Sequence, residues 1–517
     1  MVTVRPAHAY TQQQRICYIT DWLKRMMGIQ RMDTSMPRYR QLAQRLWDGI
    51  VQAGLANGSR LPSVRTLAAQ HGVSLTTALQ ALRWLETQGN IQARPRSGYY
   101  VARLAERENS ARTVRWPNPL PELDAQARDH LAMVGSPCAV RLDLAAGEPS
   151  LYPVDRFGVL LRRLAYQQKN LVGAHVRGTG HPELRREIVR QAMQYPCDLD
   201  PDELVITNGC VEALNLALRA VTRPGDVVAV ESPTYFALLQ MLRALELTAL
   251  PIPCLPAIGM DLDVLRDALD QVPVKAVVTI ANANNPVGSV APDTAKRALV
   301  ELLRGRNIPL VEDDIFGDVC FGETRPRPVR AFDTDGNVLL CGGFSKSLCP
   351  GLRLGWIAAG RFTERVKALK YTTSMATAEL QQVAVAEMLA GGGYALHLRR
   401  LKTALQHQQR SLRDAILRYF PVGTEVSSPA GGFVLWVRLP RINGRFVSTR
   451  PLFEQARAEG IGFTPGHLFG QGQAFDDCLR VNAGYRWTNE LEAAIERLGA
   501  LAKITSFSAK TSVTSRP

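Results

Sequence analysis

The chain has 517 residues, is 46% hydrophobic and carries a formal net charge of +15, enough for two or more domains that each bury a core. No run approaches the roughly 20 apolar residues of a membrane span, the opening MVTVRPAHAYTQQQRICYITDWLKRMMG lacks an apolar signal core, and the nine cysteines are scattered without CxxC spacing. These features argue against a membrane-spanning, secreted or disulfide-framework protein, and predict a cytoplasmic one with reduced thiols and no metal site. The charge is uneven: residues 1–35 carry five Arg/Lys against two Asp, and residues 36–103 carry nine Arg against Asp48 and Glu86, so this first fifth holds +10 of the +15. Such asymmetry is the electrostatic footprint of a nucleic-acid-binding module.

In chain order, RYRQLAQRLWDGIVQAG places Leu42, Leu46 and Ile50 on one helical face. LPSVRTLAAQHG predicts a short second helix, with Ser63 as N-cap and Gly72 as its stop. VSLTTALQALRWLETQG predicts a third, capped by Ser74, burying Ala78, Leu82 and Leu85, ended by Gly89, and turning Thr76, Thr77, Gln80 and Arg83 outward. Two helices joined by a tight turn, the second with a polar outer face, form a helix-turn-helix. IQARPRSGYYVAR follows as two short strands around the turn PRSG, with Arg94 and Arg96 at its tip.

The stretch LPSVRTLAAQHGVSLTTALQALRWLETQGNIQARPRSGYYV resembles a GntR-family winged helix. The resemblance implies double-stranded operator DNA as a partner. It assigns DNA contacts to Arg65, to the start of the recognition helix (Ser74, Thr76, Thr77), and to the wing (Arg94, Arg96, Gly98). The family often has an arginine after the capping serine, where this chain has Leu75. Residues 1–35 have no counterpart in the pattern. They read as a poorly ordered extension ahead of an internal start at Met36, the other reading being a DNA-clamping arm.

Residues 104–140 are charged, then Pro-rich, with little periodicity, and read as a linker. From VRLDLAAGEPS onward, strands and helices alternate. DVVAVESP, AVVTIANAN, IPLVEDD and VLLCGGFS are short apolar strands separated by lengths that suit crossover helices, which predicts an α/β fold with a mostly parallel sheet. GGFVLWVRLP and CLRVNAGY predict a smaller mixed C-terminal subdomain, and residues 503–517 a disordered tail.

Ligands of such sheets bind beyond the carboxyl ends of the strands. There TNGCVEALNLAL opens a helix on a glycine turn, suited to a phosphate. NNPVGS presents Asn285 beside a proline, LVEDD ends a strand on Asp313 and Asp314, and FSKSLCPGLRLGW supplies Lys346 and Arg353. A buried carboxylate needs a cationic partner, and a lone lysine at a strand end suits covalent chemistry on an aldehyde.

Over residues 141–502 the chain resembles the fold-type I aminotransferases, most specifically in SKSLCPGLRLGW. The resemblance implies that family's mixed, mostly parallel sheet with a smaller C-terminal subdomain, and pyridoxal 5'-phosphate as cofactor. Position by position it makes Lys346 the lysine that links to the cofactor and Asp313 the partner of its ring nitrogen. Asn285 pairs with the ring hydroxyl, Tyr235 stacks on the ring, and Gly209, Cys210 and Arg353 hold the phosphate. Arg480 grips a substrate carboxylate. Several hydroxyl donors usual in the family are replaced, by Phe316, Cys210, Gly343 and His175.

A GntR-type winged helix (36–103) joined to such a domain (141–502) is the architecture of MocR-type transcription regulators. That resemblance implies a head-to-tail homodimer that regulates transcription in response to pyridoxal phosphate or to a small amine or amino acid. The competing expectations are an aminotransferase with an autoregulatory DNA-binding module, and a regulator whose scaffold has lost its cofactor.

Overall fold

A computed structural model describes residues 37–52, 58–95, 97–102, 131, 135, 138–174, 176, 178–255, 258–441, 447–471 and 474–511. The extension 1–35, Arg96, His175 and nearly all of the linker lie outside the described residues. The chain divides into two compact units between Pro121 and Glu122.

Among the described residues the first unit holds three helices and a hairpin. Helix α1 (Arg38–Gln52) and helix α2 (Val64–His71) both pack on α3 (Leu75–Thr87), and the antiparallel strands β1 (Ile91–Arg94) and β2 (Gly98–Val101) follow. Leu42, Ile50, Ala78, Leu82 and Leu85 share one buried cluster, with Leu46 at its edge. The Ser63 and Ser74 side chains accept from the amides of Thr66 and Thr77, and Gly72 adopts the left-handed conformation (φ 62°) that closes α2.

The second unit opens with β3 (Val140–Arg141) and is built on an eight-stranded sheet of β4 (Leu204–Thr207), β5 (Val227–Ser232), β6 (Thr248–Leu255), β7 (Gly259–Met260), β8 (Val274–Thr279), β9 (Leu310–Asp313), β10 (Val338–Gly343) and β11 (Gly355–Ala358). Their order is β4-β11-β10-β9-β8-β5-β6-β7. The run β10-β9-β8-β5-β6 is parallel throughout, whereas β11 pairs antiparallel with both β10 and β4. Covered on both faces, β4, β9 and β11 are buried at every residue, and in β9 that burial extends to Glu312 and Asp313. Helix α4 (Cys210–Val221) follows β4 directly, and α5 (Phe236–Ala244) follows β5.

The long helix α6 (Gly393–Tyr419) leads to an antiparallel sheet of order β12-β13-β16-β15, formed by β12 (Glu425–Val426), β13 (Val434–Arg438), β15 (Thr464–Pro465) and β16 (Cys478–Asn482). Helices α7 (Arg450–Ala458) and α8 (Asn489–Thr511) pack beside it. The subdomain also recruits the start of the unit: β3 pairs in parallel with β14 (Ile461–Gly462), and Leu142 joins the subdomain's core. Of the tail expected to be disordered from residue 503, the part through Thr511 is described as a continuation of α8, and residues 512–517 lie outside the described residues. Among the described residues no helix is long and apolar enough to cross a membrane.

Candidate functional site

Four elements end at one edge of the large sheet. β4 delivers Gly209 and Cys210, β8 leads to Asn285, β9 ends on Asp313, and β10 leads to Lys346. β11 runs the opposite way, so it starts at this edge and brings Arg353 there. Cys210, Asn285, Asp313, Lys346 and Arg353, with Tyr235, Phe316 and Arg480, line one cavity of about 320 Å³, and Gly209 lies against the Arg353 guanidinium. All the sequence-predicted residues of the aminotransferase-like domain therefore converge.

Gly209 has φ 88°, and a Cβ there would lie 2.8 Å from Arg353 Nη2. The first amides of α4 thus face the cavity with a guanidinium laid over bare backbone, an arrangement that receives anions. The Cys210 thiol turns away from that role and donates to Asp313 Oδ1 at 3.4 Å. Gly343 is explained by packing, since a Cβ there would stand 3.1 Å from Ile315 Cδ1 and from the Leu354 carbonyl.

The two strand-end aspartates differ in their partners. Asp314 is ion-paired with Arg325 and accepts from Asn282 Nδ2 at 2.8 Å. Asp313 is 5% exposed, accepts from the Ile315 amide at 3.2 Å and from Cys210, and has no ion pair among the described residues. Burial pushes its carboxyl up to about 6. Lys346 Nζ donates to the Ala145 carbonyl at 2.7 Å and lies 5.8 Å from the Phe316 ring centre. Burial first, then the Arg480 and Arg353 charges, lower its ammonium to about 8.

Arg480 is 1% exposed. It donates to Asn285 Oδ1 at 3.2 Å, to Thr464 Oγ1 at 2.9 Å and to the Asp143 carbonyl. No carboxylate pairs with it among the described residues, and its buried Nε has no partner. Tyr235 sits at the start of α5, its ring 5.2 Å from that of Phe236. Sequence reasoning missed Ala145, whose contribution is a backbone carbonyl, and Arg141, which lines the cavity bound bidentately to Asp143 at 2.8 and 2.9 Å.

In the first unit, Arg65, Thr76, Arg94 and Gly98 are exposed. Ser74 and Thr77 form a capping pair, with hydroxyls 2.9 Å apart. The Arg94 guanidinium lies 4.3 Å from the Tyr100 ring centre, which stiffens the wing. Leu75, at the arginine position of the resemblance, is 53% exposed at the tip of α3. Arg65→Ala is expected to weaken DNA binding and to flatten the log-log salt dependence by about one unit, as loss of one phosphate contact does. An unchanged slope in a fluorescence-anisotropy titration would place Arg65 off the DNA.

Residues 38–101 match the family of bacterial regulatory proteins of the gntR type, and residues 141–498 match the class I and II aminotransferases. The chain is 35% identical over 470 residues to two Escherichia coli K12 proteins, YjiR and YdcR, each described as an uncharacterized HTH-type transcriptional regulator. These alignments cover 90% of this chain and 98% and 99% of those proteins. Among solved structures it is similar to Pyrococcus horikoshii kynurenine aminotransferase in complex with PMP, with 25% identity and a TM-score of 0.67, covering 74% of this chain and 95% of that one.

Proposed function

The chain belongs to the MocR-type regulators, a GntR-family winged helix fused to a class I and II aminotransferase domain, and on that ground we propose that it regulates transcription through bound pyridoxal 5'-phosphate. The cofactor is either the effector itself or the group that detects a small amine or amino acid. The protein works as a cytoplasmic head-to-tail homodimer on double-stranded operator DNA, which it meets through Arg65, the start of α3 and the wing.

The observation that carries this reading is the pairing of Lys346 and Asp313 in one cavity, one bonded to a backbone carbonyl and the other without a cation in contact. The donor set fits the cofactor. The Gly209 cradle, the α4 amides and Arg353 suit a phosphate, Asp313 suits a protonated ring nitrogen, and Asn285 and Tyr235 line the space between. Bound there, pyridoxal phosphate supplies an aldehyde that a neutral amine can link covalently and a ring that withdraws electrons.

This chain's residues prepare that link. A lysine lowered to about 8 presents a sizeable neutral fraction near neutral pH, where an ordinary lysine near 10.4 presents almost none. Asp313 stays mostly ionised above about 6 and so holds a proton on whatever basic nitrogen faces it. Arg480, with an unpaired buried N–H, receives the carboxylate of an amino-acid effector. A committed Nζ no longer donates as an ammonium to Ala145. Ala145 lies on residues 138–148, the segment into which the linker runs and which β3 stitches to the small subdomain. Cofactor state is thereby connected to the anchor of the DNA module.

A ligand shifts a conformational equilibrium only by its differential affinity, so operator DNA titrated against cofactor-free protein, loaded protein and Lys346→Ala tests the reading. DNA affinity should differ between the first two by about 5- to 150-fold and lose its cofactor dependence in the variant. The second reading, an aminotransferase with an autoregulatory module, is favoured by the retention of Lys346, Asp313 and Arg480 together. Equal DNA affinity in all states, alongside brisk keto-acid release, would establish it instead. Against it stands the loss of hydroxyl donors. Phe316 is buried against Phe433 and lines the cavity as a bare ring. Phe316→Tyr is expected to tighten pyridoxal phosphate by about 1 kcal/mol, roughly fivefold. Equal or weaker affinity by spectroscopic titration would remove Phe316 from the position beside the ring hydroxyl.

A further inference from the structure

A second and larger cavity, about 800 Å³, opens between the start of α6, the helix Pro182–Ala192 and the loop 322–325. Its walls include the buried aromatics Tyr195, Phe344, Trp356 and Tyr394. Two cations on one turn of α6, Arg399 and Lys402, also line it. Most of its other charges are already matched. Arg325 is stacked 3.9 Å from the Tyr195 ring centre and paired with Asp314 and Asp318, and Asp318 accepts further from Tyr394 Oη.

Lys402 is different. It is half-buried, burial lowers its ammonium, and among the described residues it has neither a hydrogen bond nor an ion pair, with Asp318 acting on it only from a distance. A half-buried ammonium without a contacting anion, at the mouth of an aromatic-walled cavity, is an incomplete receptor. Against that ammonium and the rim guanidinium of Arg399 stands the exposed carboxylate of Glu323, so one positive charge is left over, which suits a monoanion, and the walls suit a flat apolar body.

We propose that this cavity is a second ligand site, for a small carboxylate with an aromatic body, held by Lys402 with Arg399 at the rim. Its floor touches the cofactor loop: Tyr394 Oη, whose one proton goes to Asp318, accepts from Ser347 Oγ at 2.7 Å, and Ser347 directly follows Lys346. A ligand here sits one hydrogen bond from the segment that bears the lysine, in a cavity that shares no lining residue with the one Arg480 lines.

Phenylacetate is the probe, measured calorimetrically against the full chain. Saturable binding is expected, weakened about tenfold by Lys402→Gln, as loss of one charge-assisted hydrogen bond predicts, and left unchanged in Arg480→Gln. The uncharged isostere 2-phenylacetamide should bind about tenfold less tightly for the same reason. Ala395→Trp, which fills the cavity from an exposed wall position, should block phenylacetate in a chain whose circular dichroism matches wild type. Absence of saturable binding at millimolar phenylacetate overturns the proposal. So does binding that Arg480→Gln abolishes and Lys402→Gln leaves intact, since the carboxylate then belongs to the first cavity.

Discussion

Borohydride reduction of the protein in the presence of pyridoxal phosphate should leave one phosphopyridoxyl group on the peptide containing Lys346, and Lys346→Ala should carry none. The same substitution should weaken cofactor binding by about a hundredfold or more, because the Gly209 cradle and Arg353 remain but the covalent link is gone. The pH dependence makes this specific. Attachment requires the neutral amine, and Lys346 is held near 8 by burial and by two guanidinium groups. The rate should rise about tenfold per pH unit below that value and level off above it. A surface lysine would keep rising toward about 10.4. Label on other lysines only, or a profile that climbs past pH 9 without bending, would remove Lys346 from the role.

Much of this arrangement was legible in the sequence, for reasons that can be named. The parallel strands are short apolar runs buried on both faces, and each carries its informative residue at the carboxyl end, so Asn285, Asp313 and Lys346 could be gathered without a structure. Ser63 and Ser74 announced their helices by the capping chemistry that the structure shows. What stayed hidden depends on contacts far apart in the chain or on atoms every residue shares. The Ala145 carbonyl has no sequence signature. The recruitment of residues 140–142 into the small subdomain joins segments more than 300 residues apart. Cys210 reads as a weak phosphate ligand in the sequence, yet its thiol is bound to Asp313, because the side chain at the first position of α4 points back toward the end of β9. The residues alone did not separate the two adjacent aspartates, and the resemblance singled out Asp313; the physical difference is that Arg325, eleven residues beyond Asp314, pairs with Asp314 and not with Asp313.

Asp313→Asn should separate folding from function by moving them in opposite directions. In the cofactor-free protein the Asp313 carboxyl is raised from 3.8 to about 6 by burial, so between those values the folded chain binds more protons at this site than the unfolded one. Stability must therefore fall as pH rises from about 4 to about 6 and stay low above it, by up to about 3 kcal/mol. Asparagine keeps an oxygen for the Ile315 amide and carries no charge, so the variant should be the more stable protein at neutral pH and should lack this falling limb. Glu312, buried and raised to about 8, imposes a falling limb of the same sign that is present in both proteins and cancels in the difference curve. Glu231, raised to about 7 by burial and in part by the Asp313 charge, is raised less in the variant and so adds to its stabilisation at neutral pH. Cofactor affinity should move the other way. A ring nitrogen protonated in the site loses its carboxylate, at a cost of about 3 kcal/mol or roughly a hundredfold. Denaturant melts across pH and a pyridoxal phosphate titration decide the matter. A variant that is less stable at neutral pH, or that binds the cofactor as tightly as wild type, would show that Asp313 belongs to the scaffold and not to the ligand.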